Sequence, residues 1–257
     1  TTHSKAMVKS VSLVKVAQKA SESPDLDMFM LQAVRNGEIL CSEMDTIRKL
    51  VALASKEREQ ENARIYYNEM GLRSWQKVLM DVIDGQADRR IVNWVYDPIG
   101  NIGKTTFCSY VQAMYPEQIL CLHSCSGKEI MFQLCQMHTP RALLLDVARS
   151  KKGEFISFDV CEQVKSGNLF NVKYHPVHKT IPPMHVMIFS NELPFVKKLS
   201  VDRWHIYICE TSLINDDVNI KLMSNDSVKK LAEEQKEFAE CIDAFNKYIQ
   251  NFCCLFF

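Results

Sequence analysis

The sequence predicts an α/β protein, a three-layer sandwich with a mostly parallel central sheet, preceded by a small helical region. From residue 91 onward, short apolar β-rich runs alternate with helical stretches, which is typical of a parallel sheet covered on both faces. The residues before 70 lack such runs and carry apolar side chains at helical spacing. With 257 residues, 47% of them hydrophobic and 24% charged, the composition is globular, which excludes a disordered or fibrous chain.

The N-terminal part is predicted to be helical over residues 7–20, about 26–70, and 74–83. Glu22-Ser23-Pro24 separates the first two helices, and Asp84 to Asp88 form a turn-rich exit from the third. We therefore divide the chain into a helical region at 1–70, an α/β core at 71–212, and a C-terminal helical tail at 213–257.

Five short apolar runs are the candidate strands of the sheet. A helical pattern from Lys104 to Met114 follows the first run, so a strand, a loop and a helix succeed one another there. The runs are residues 91–96, 118–122, 142–145, 186–189 and 204–208.

Charge, hydropathy and cysteine content exclude several classes of protein. Lys+Arg and Asp+Glu both total 31, so the net charge is zero, which excludes a protein that binds nucleic acid through bulk positive charge. No run approaches the about 18 apolar residues of a membrane-spanning helix. The ten cysteines include no C-x-x-C pair. We expect free, mostly buried thiols in a reducing compartment, with a metal or disulfide site as the alternative.

A glycine-rich loop between the first strand and the following helix is the strongest motif. Residues 97–106 read Asp-Pro-Ile-Gly-Asn-Ile-Gly-Lys-Thr-Thr. The backbone N–H groups of such a loop and the positive end of the helix after it bind phosphate oxygens, which predicts an ATP site. The predicted nucleotide-binding residues are Gly100, Asn101, Ile102, Gly103, Lys104, Thr105 and Thr106.

Two side chains of this loop have specific predicted roles. Lys104 would contact the β- and γ-phosphates, and the Thr105 hydroxyl would bind Mg²⁺. The standard pattern G-x-x-x-x-G-K-[ST] has glycine where this chain has Pro98. A chance Gly-Lys-Thr at the start of a helix is the alternative interpretation.

A carboxylate follows the third candidate strand. Asp146 comes directly after an apolar run, and we predict that it holds the Mg²⁺ ion, directly or through water. A solvated Asp at a strand end is the alternative. Many ATPases place a second acid after this Asp, but Val147 and Ala148 stand here, so the general base stays unassigned.

Two further polar residues are candidates for the same chemistry. Asn191 follows a buried strand, where its amide could orient the attacking water or sense the γ-phosphate. Arg203 opens the next strand and could stabilise transition-state charge on the nucleotide of a neighbouring subunit. A surface ion pair between Arg203 and Asp202 is the alternative.

The segment from Lys165 to Arg203 is locally basic. It contains six Lys or Arg residues and two Asp or Glu residues, a net charge of +4. Cations beside an aromatic side chain suit phosphate contacts and base stacking, whereas a merely solvated hairpin is the alternative. The candidate DNA-binding residues are Lys165, Lys173, Tyr174 and Lys179.

Taken in order, these motifs resemble the helicase domain of replication-associated proteins (Rep) of circular single-stranded DNA viruses. That domain belongs to helicase superfamily 3, among the AAA+-like P-loop NTPases, and its loop often contains the proline found here at 98. The resemblance covers about Arg73 to Glu210. It includes Arg73 to Gln76, Trp94 to Pro98, Gly100 to Thr105, Asp146 to Arg149, Glu162 to Gly167, Lys173-Tyr174, Asn191 to Pro194 and Asp202 to Trp204.

The resemblance implies an ATP-dependent DNA helicase or translocase that uses ATP and Mg²⁺. Thr105 and Asp146 would be the metal ligands, Asn191 the sensor, and Arg203 the finger supplied to the next subunit. Lys173 would face single-stranded DNA in the channel of a homo-oligomer, a hexameric ring assembled by the helices before residue 70. The resemblance also implies an intracellular location, in the host nucleus, without membrane attachment.

Full-length proteins of this family carry a nuclease domain that this chain does not match. Neither the His-hydrophobic-His pattern nor the Tyr-x-x-Lys pattern occurs in the sequence, so nicking and joining are not assigned to it. The chain is either part of a longer protein or the product of a gene that lost this domain. A decayed copy acting as a nucleotide- or DNA-binding scaffold, and a small-molecule P-loop kinase, are the rival hypotheses.

Overall fold

The computed structural model describes residues 13–123, 125–147, 157–173, 176–211 and 218–253. The chain divides into two compact units, Thr1–Met70 and Gly71–Phe257. Within the described residues, no helix combines the length and the apolar character needed to cross a membrane.

The first unit is helical in its described part, but the helix predicted over about 26–70 is divided into two, and residues 7–12 of the first predicted helix lie outside the described residues. Helix α1 covers residues 13–21, α2 covers Leu26–Arg35 and α3 covers Met44–Met70, with a short 3₁₀ turn at Cys41–Glu43. The Asp25 carboxylate begins α2 by accepting a hydrogen bond from the Met28 N–H at 2.9 Å. The core of the unit consists of Val16, Ala17, Ala20, Met30, Ala33, Ile39, Ile47 and Val51.

The second unit is an α/β sandwich around a six-stranded sheet in the order β2-β3-β6-β1-β7-β8. All neighbouring strands are parallel except β7 and β8, which are antiparallel. Its elements are α4 (Ser74–Asp84), β1 (Val92–Tyr96), α5 (Lys104–Met114), β2 (Ile119–His123), α6 (Gly127–Gln136), β3 (Ala142–Asp146), α7 (Phe158–Ser166), β4 (Asn168–Asn171), β5 (Val177–Thr180), β6 (His185–Ser190), β7 (Trp204–Thr211), β8 (Val218–Leu222) and α8 (Asn225–Cys253).

Each face of the sheet is covered by its own helices. Because side chains alternate along a strand, Trp94 points into a core shared with α6, α7 and α8, while its neighbour Val95 points into a core shared with α4 and α5. Both residues are buried, which explains the continuous apolar runs of the sequence. The predicted P-loop NTPase-like sandwich with a mostly parallel central sheet is confirmed.

The C-terminal region contains a strand that the sequence pattern did not predict. We predicted a helical tail over 213–257, but β8 pairs antiparallel with β7, for example Cys209 with Ile220. Its sequence, Val-Asn-Ile-Lys-Leu, alternates because Val218 and Ile220 pack into the core beneath α4, whereas Asn219 and Lys221 are exposed.

Strands β4 and β5 form a separate antiparallel hairpin between α7 and β6. Gly167 links α7 to this hairpin in the left-handed conformation, with φ of 76°. A Cβ atom at this position would lie 2.4 Å from the Ile181 carbonyl oxygen. Glycine is therefore required where the hairpin backbone crosses the end of the helix.

Candidate nucleotide-binding site

The site lies where three adjacent parallel strands end. The carboxyl ends of β1, β6 and β3 meet at one edge of the sheet, and Asp97, Asn191 and Asp146 stand at these ends. Asp146 is two strands from the glycine-rich loop, because β6 lies between β1 and β3.

The backbone of the glycine-rich loop has the conformation of an anion-binding nest. Gly100, Asn101 and Gly103 all have positive φ, at 92°, 63° and 94°. Among the described residues, Asn101 is the one non-glycine residue with positive φ. The loop leads directly into α5, which begins at Lys104, so the N–H groups of the first helical turn face the same concavity.

Asp97, for which the sequence predicted no role, organises the loop. One carboxylate oxygen accepts hydrogen bonds from the N–H groups of Ile99, at 3.2 Å, and Gly100, at 2.7 Å. The other lies 2.5 Å from the Lys104 Nζ, and both side chains of this ion pair are buried. The Asp97 carbonyl accepts a hydrogen bond from the Asn191 side-chain amide at 2.6 Å, which joins the ends of β1 and β6.

Helix α4 holds the loop from behind. Gln76 Nε2 donates to the Gly103 carbonyl at 3.1 Å, and Arg73 Nη1 donates to the Ile102 carbonyl at 3.0 Å. Since α4 binds these carbonyls from behind, the N–H groups of the loop that Asp97 does not hold can face a ligand. Arg73 to Gln76 is part of the resemblance, but its contact with the loop depends on the fold.

The predicted metal ligands lie together. Thr105 Oγ1 donates a hydrogen bond to Asp146 Oδ2 at 2.6 Å, across the mouth of the loop. His123, at the end of β2, is paired in register with Asp146, and its Nδ1 lies 3.3 Å from the same carboxylate oxygen. Hydroxyl and carboxylate oxygens are ligands that Mg²⁺ prefers, so the donor set fits this ion.

The glycine-rich loop, Thr105, Asp146 and their neighbours line a cavity of about 530 Å³. The side chain of Ile102 points instead into the core beneath the loop, so its predicted contribution would come from its backbone. The residues that line the cavity are Gly100, Asn101, Gly103, Lys104, Thr105, Thr106, His123, Asp146, Val147 and Asn191.

Arg203 lies at the opposite ends of the strands, beside the amino end of β1. The register pairs Trp204 with Val92 at the start of β1, whereas the glycine-rich loop follows Tyr96 at the end of that strand. The Arg203 guanidinium donates to a Glu162 carboxylate oxygen at 2.5 Å. Asp202 pairs with Arg90 instead, so the alternative of an Arg203–Asp202 ion pair is wrong.

Lys165 does not belong to a DNA-binding surface, and its assignment as a DNA contact is corrected. Its side chain is buried, and Nζ donates to the carbonyl oxygens of Asp88, at 2.7 Å, and Met184, at 3.0 Å. Burial lowers the pKa of Lys165 from 10.5 to about 8. The side chain ties α7 to the segments that precede β1 and β6, and a phosphate cannot reach it.

Two of the other candidate DNA-binding residues, Lys173 and Lys179, lie on the β4–β5 hairpin. Lys173 is in the connection between the two strands, and its Nζ lies 3.7 Å from Glu129 Oε1. Lys179 donates to the carbonyl oxygens of Met137 and His138, beyond the end of α6. Tyr174 is outside the described residues.

Comparison with known proteins relates the chain to viral and satellite replication proteins. It is 32% identical over 160 residues to Para-Rep C6 of Subterranean clover stunt C6 alphasatellite, covering 61% of this chain and 54% of that protein. It is 32% identical to Para-Rep C10 of Milk vetch dwarf C10 alphasatellite, over 54% of this chain and 48% of that protein. The chain is a homologue of these replication proteins.

A third relative is the Master replication protein of Banana bunchy top virus, 25% identical over 64% of this chain and 54% of that protein. No family model matches the chain. The chain spans about half the length of these relatives. The resemblance to viral Rep proteins inferred from the motifs is thereby confirmed.

Proposed function

We propose that the chain is an ATP-hydrolysing motor of a rolling-circle replication protein, which moves along or unwinds DNA. The observation that carries this proposal is the 2.6 Å hydrogen bond between Thr105 and Asp146. It brings the hydroxyl at the start of α5 and the carboxylate at the end of β3 to one side of the glycine-rich loop. This is the arrangement that a magnesium triphosphate requires.

The contacts support a separate role for each residue of the site. Thr105 and Asp146 would hold Mg²⁺, which when bound neutralises charge on the phosphate oxygens. Lys104 would exchange its contact with Asp97 for a phosphate oxygen. Asn191 donates its amide N–H to the Asp97 carbonyl. Its side-chain oxygen therefore remains to orient a water molecule in the cavity.

The position of Arg203 supports nucleotide binding at a boundary between subunits. A five-residue strand such as β1 is about 13 Å long, and Arg203 and the glycine-rich loop lie beyond its opposite ends. Arg203 therefore cannot reach the nucleotide of its own subunit. It can act as an arginine finger only on a neighbouring copy, which supports a ring, and we propose a hexamer.

The β4–β5 hairpin is the proposed contact with single-stranded DNA. Lys173 lies in its connection, and Phe170 nearby is 52% exposed. A cation for the phosphate backbone and an exposed aromatic ring for a base are the usual elements of single-strand binding.

A second candidate, a scaffold that binds nucleotide without turnover, is favoured by one observation. Val147, and not an acid, follows Asp146 and lines the cavity. A water-activating carboxylate is therefore missing from the position where many ATPases carry it.

One experiment separates these functions: steady-state ATP hydrolysis by the chain, with and without single-stranded DNA. We expect hydrolysis that DNA stimulates and that Lys104→Ala abolishes. Lys173→Ala should keep the basal rate but lose the stimulation, while the control Lys229→Ala on α8 behaves as wild type. ATP binding without turnover would favour the scaffold, and turnover indifferent to DNA would favour the kinase hypothesis.

A further inference from the structure

A second cavity, distinct from the nucleotide site, surrounds Arg203. This groove of about 520 Å³ lies near the amino ends of β1 and β7. Four of its seven lining residues are cationic, and one is acidic. They are Arg89, Arg90, Glu162, Gln163, Lys165, Ser166 and Arg203.

Two of the four cations are committed to structural contacts. Arg90 donates to Asp202 Oδ2 through Nε, at 3.1 Å, and through Nη2, at 2.7 Å, and it also contacts Ser200. Lys165 donates to two backbone carbonyls. These residues build the wall of the groove and are not available to a ligand.

The remaining cations are Arg89 and Arg203. Arg89 is exposed, and among the described residues no carboxylate lies within ion-pair distance of it. Arg203 contacts Glu162 through Nη1 only, and its buried Nε has no hydrogen-bond partner among the described atoms. The Glu162 carboxylate, half exposed on α7, thus occupies part of the donor set of an arginine that could bind a larger anion in a bidentate manner.

We infer that this groove is an anion-binding site in which Glu162 takes the place of a phosphate. On assembly, the terminal phosphates of the nucleotide in a neighbouring subunit displace Glu162 from Arg203, and Arg89 is the second cation that binds them. This inference rests on the proposed function, because the phosphates come from the neighbouring nucleotide site. Glu162 is then a positioning residue that restrains the finger until a neighbour is present.

Replacing the Glu162 carboxylate at Arg203 with a phosphate costs little free energy. An ion pair exposed to solvent to this degree is worth about 1 kcal/mol or less. A triphosphate carries several charges and offers more acceptor oxygens to the guanidinium than a carboxylate does. A phosphate can therefore replace Glu162, whereas a buried pair would resist the exchange.

The test measures binding of inorganic tripolyphosphate to the full chain carrying Lys104→Ala, which disables the glycine-rich loop. Adding Glu162→Gln should tighten the binding about threefold, and adding Arg89→Met to that variant should abolish the gain. The control Glu233→Gln, on an exposed position of α8, should change nothing. Unchanged affinity after Glu162→Gln, or a gain that survives Arg89→Met, would overturn the inference.

A second readout separates this inference from the proposed function. With the loop intact, Glu162→Gln should lower the protein concentration at which ATP hydrolysis is half-maximal, again about threefold. If Glu162→Gln tightens tripolyphosphate binding but the chain hydrolyses no ATP, the anion-binding site in the groove is supported and the proposed motor function is contradicted. If the chain hydrolyses ATP but Glu162→Gln changes neither measurement, the anion-binding site is contradicted and the proposed motor function is not.

Discussion

Asp97 shows how one residue organises the glycine-rich loop. Its carboxylate fixes the turn through two backbone N–H groups and neutralises Lys104, and its carbonyl anchors Asn191. The loop, its lysine and the predicted sensor are therefore connected through a single buried residue.

Asp97→Asn should keep the turn but remove the charge that balances Lys104. Leaving one partner of a buried ion pair uncompensated costs about 3 kcal/mol of unfolding free energy. MgATP should restore much of this loss, because its phosphates supply the missing negative charge. Urea unfolding with and without MgATP measures both effects, and a variant as stable as wild type would contradict this role of Asp97.

Lys165 makes stability depend on pH in an uncommon direction. Burial lowers its pKa from 10.5 to about 8, so between these values the unfolded chain binds more protons than the folded chain. The contribution of Lys165 to the free energy of unfolding therefore rises with pH through this window. Below about pH 8 the desolvation cost of the charged form is present in full.

The comparison of wild type with Lys165→Met isolates this effect. The stability difference between the two should move in favour of wild type when urea unfolding is repeated at pH 10 instead of pH 7. Lys236→Met, at an exposed position of α8, should give the same difference at both values. A difference for Lys165→Met that does not vary with pH would contradict the burial of a titrating lysine.

The sequence could have predicted the burial of Lys165 but not the role of Asp97. Cys161 and Val164 are buried on α7, and Lys165 lies four residues after Cys161, on the same helical face. Its inclusion in the basic segment ignored this spacing. The contacts of Asp97 depend instead on where β6 lies beside β1 and on how Lys104 folds back, which no local pattern specifies.

At the scale of elements, the junction of α7 with the β4–β5 hairpin restricts both the backbone conformation and the side-chain size at Gly167. Gly167→Ala combines an unfavourable positive φ with the approach of Cβ to the Ile181 carbonyl. We expect a loss of roughly 2–4 kcal/mol in unfolding free energy. Gly71→Ala is the matched control, since its φ is 68° and no atom lies within 4 Å of the added Cβ.

Gly71→Ala should therefore cost only about 1 kcal/mol in the same denaturation experiment. Equal losses for the two variants would contradict the close crossing of hairpin and helix.

The parallel strands and the glycine-rich loop of this unit were predictable because buried parallel strands are continuous apolar runs. The edge strand β8 was not, because Asn219 and Lys221 on its exposed face interrupt the apolar run.

At the scale of the whole molecule, the sheet separates two halves of one proposed catalytic site. The glycine-rich loop follows the carboxyl end of β1, and Arg203 precedes the amino end of β7. Two defective subunits should therefore complement each other when their intact halves meet. The resemblance to Rep proteins implied this arrangement, and the register of β1 with β7 supports it by placing Arg203 and the loop at opposite ends of the strands.

Arg203→Ala alone should lower kcat by about a thousandfold, and Lys104→Ala alone should be inactive. A mixture of the two should regain hydrolysis, because Lys104→Ala subunits provide Arg203 to intact loops. Mixing either variant with the double variant is the control and should regain nothing. A mixture that assembles but stays inactive would contradict a finger supplied from the neighbouring subunit.

The central claim is that Thr105 and Asp146 together hold the metal of a bound triphosphate. Its most direct test is Mg²⁺-dependent ATP hydrolysis by wild type and by Asp146→Asn, which preserves the shape of the side chain and removes its charge. We predict that wild type hydrolyses ATP and that Asp146→Asn lowers kcat roughly a hundredfold. Hydrolysis by Asp146→Asn at the wild-type rate would contradict the account.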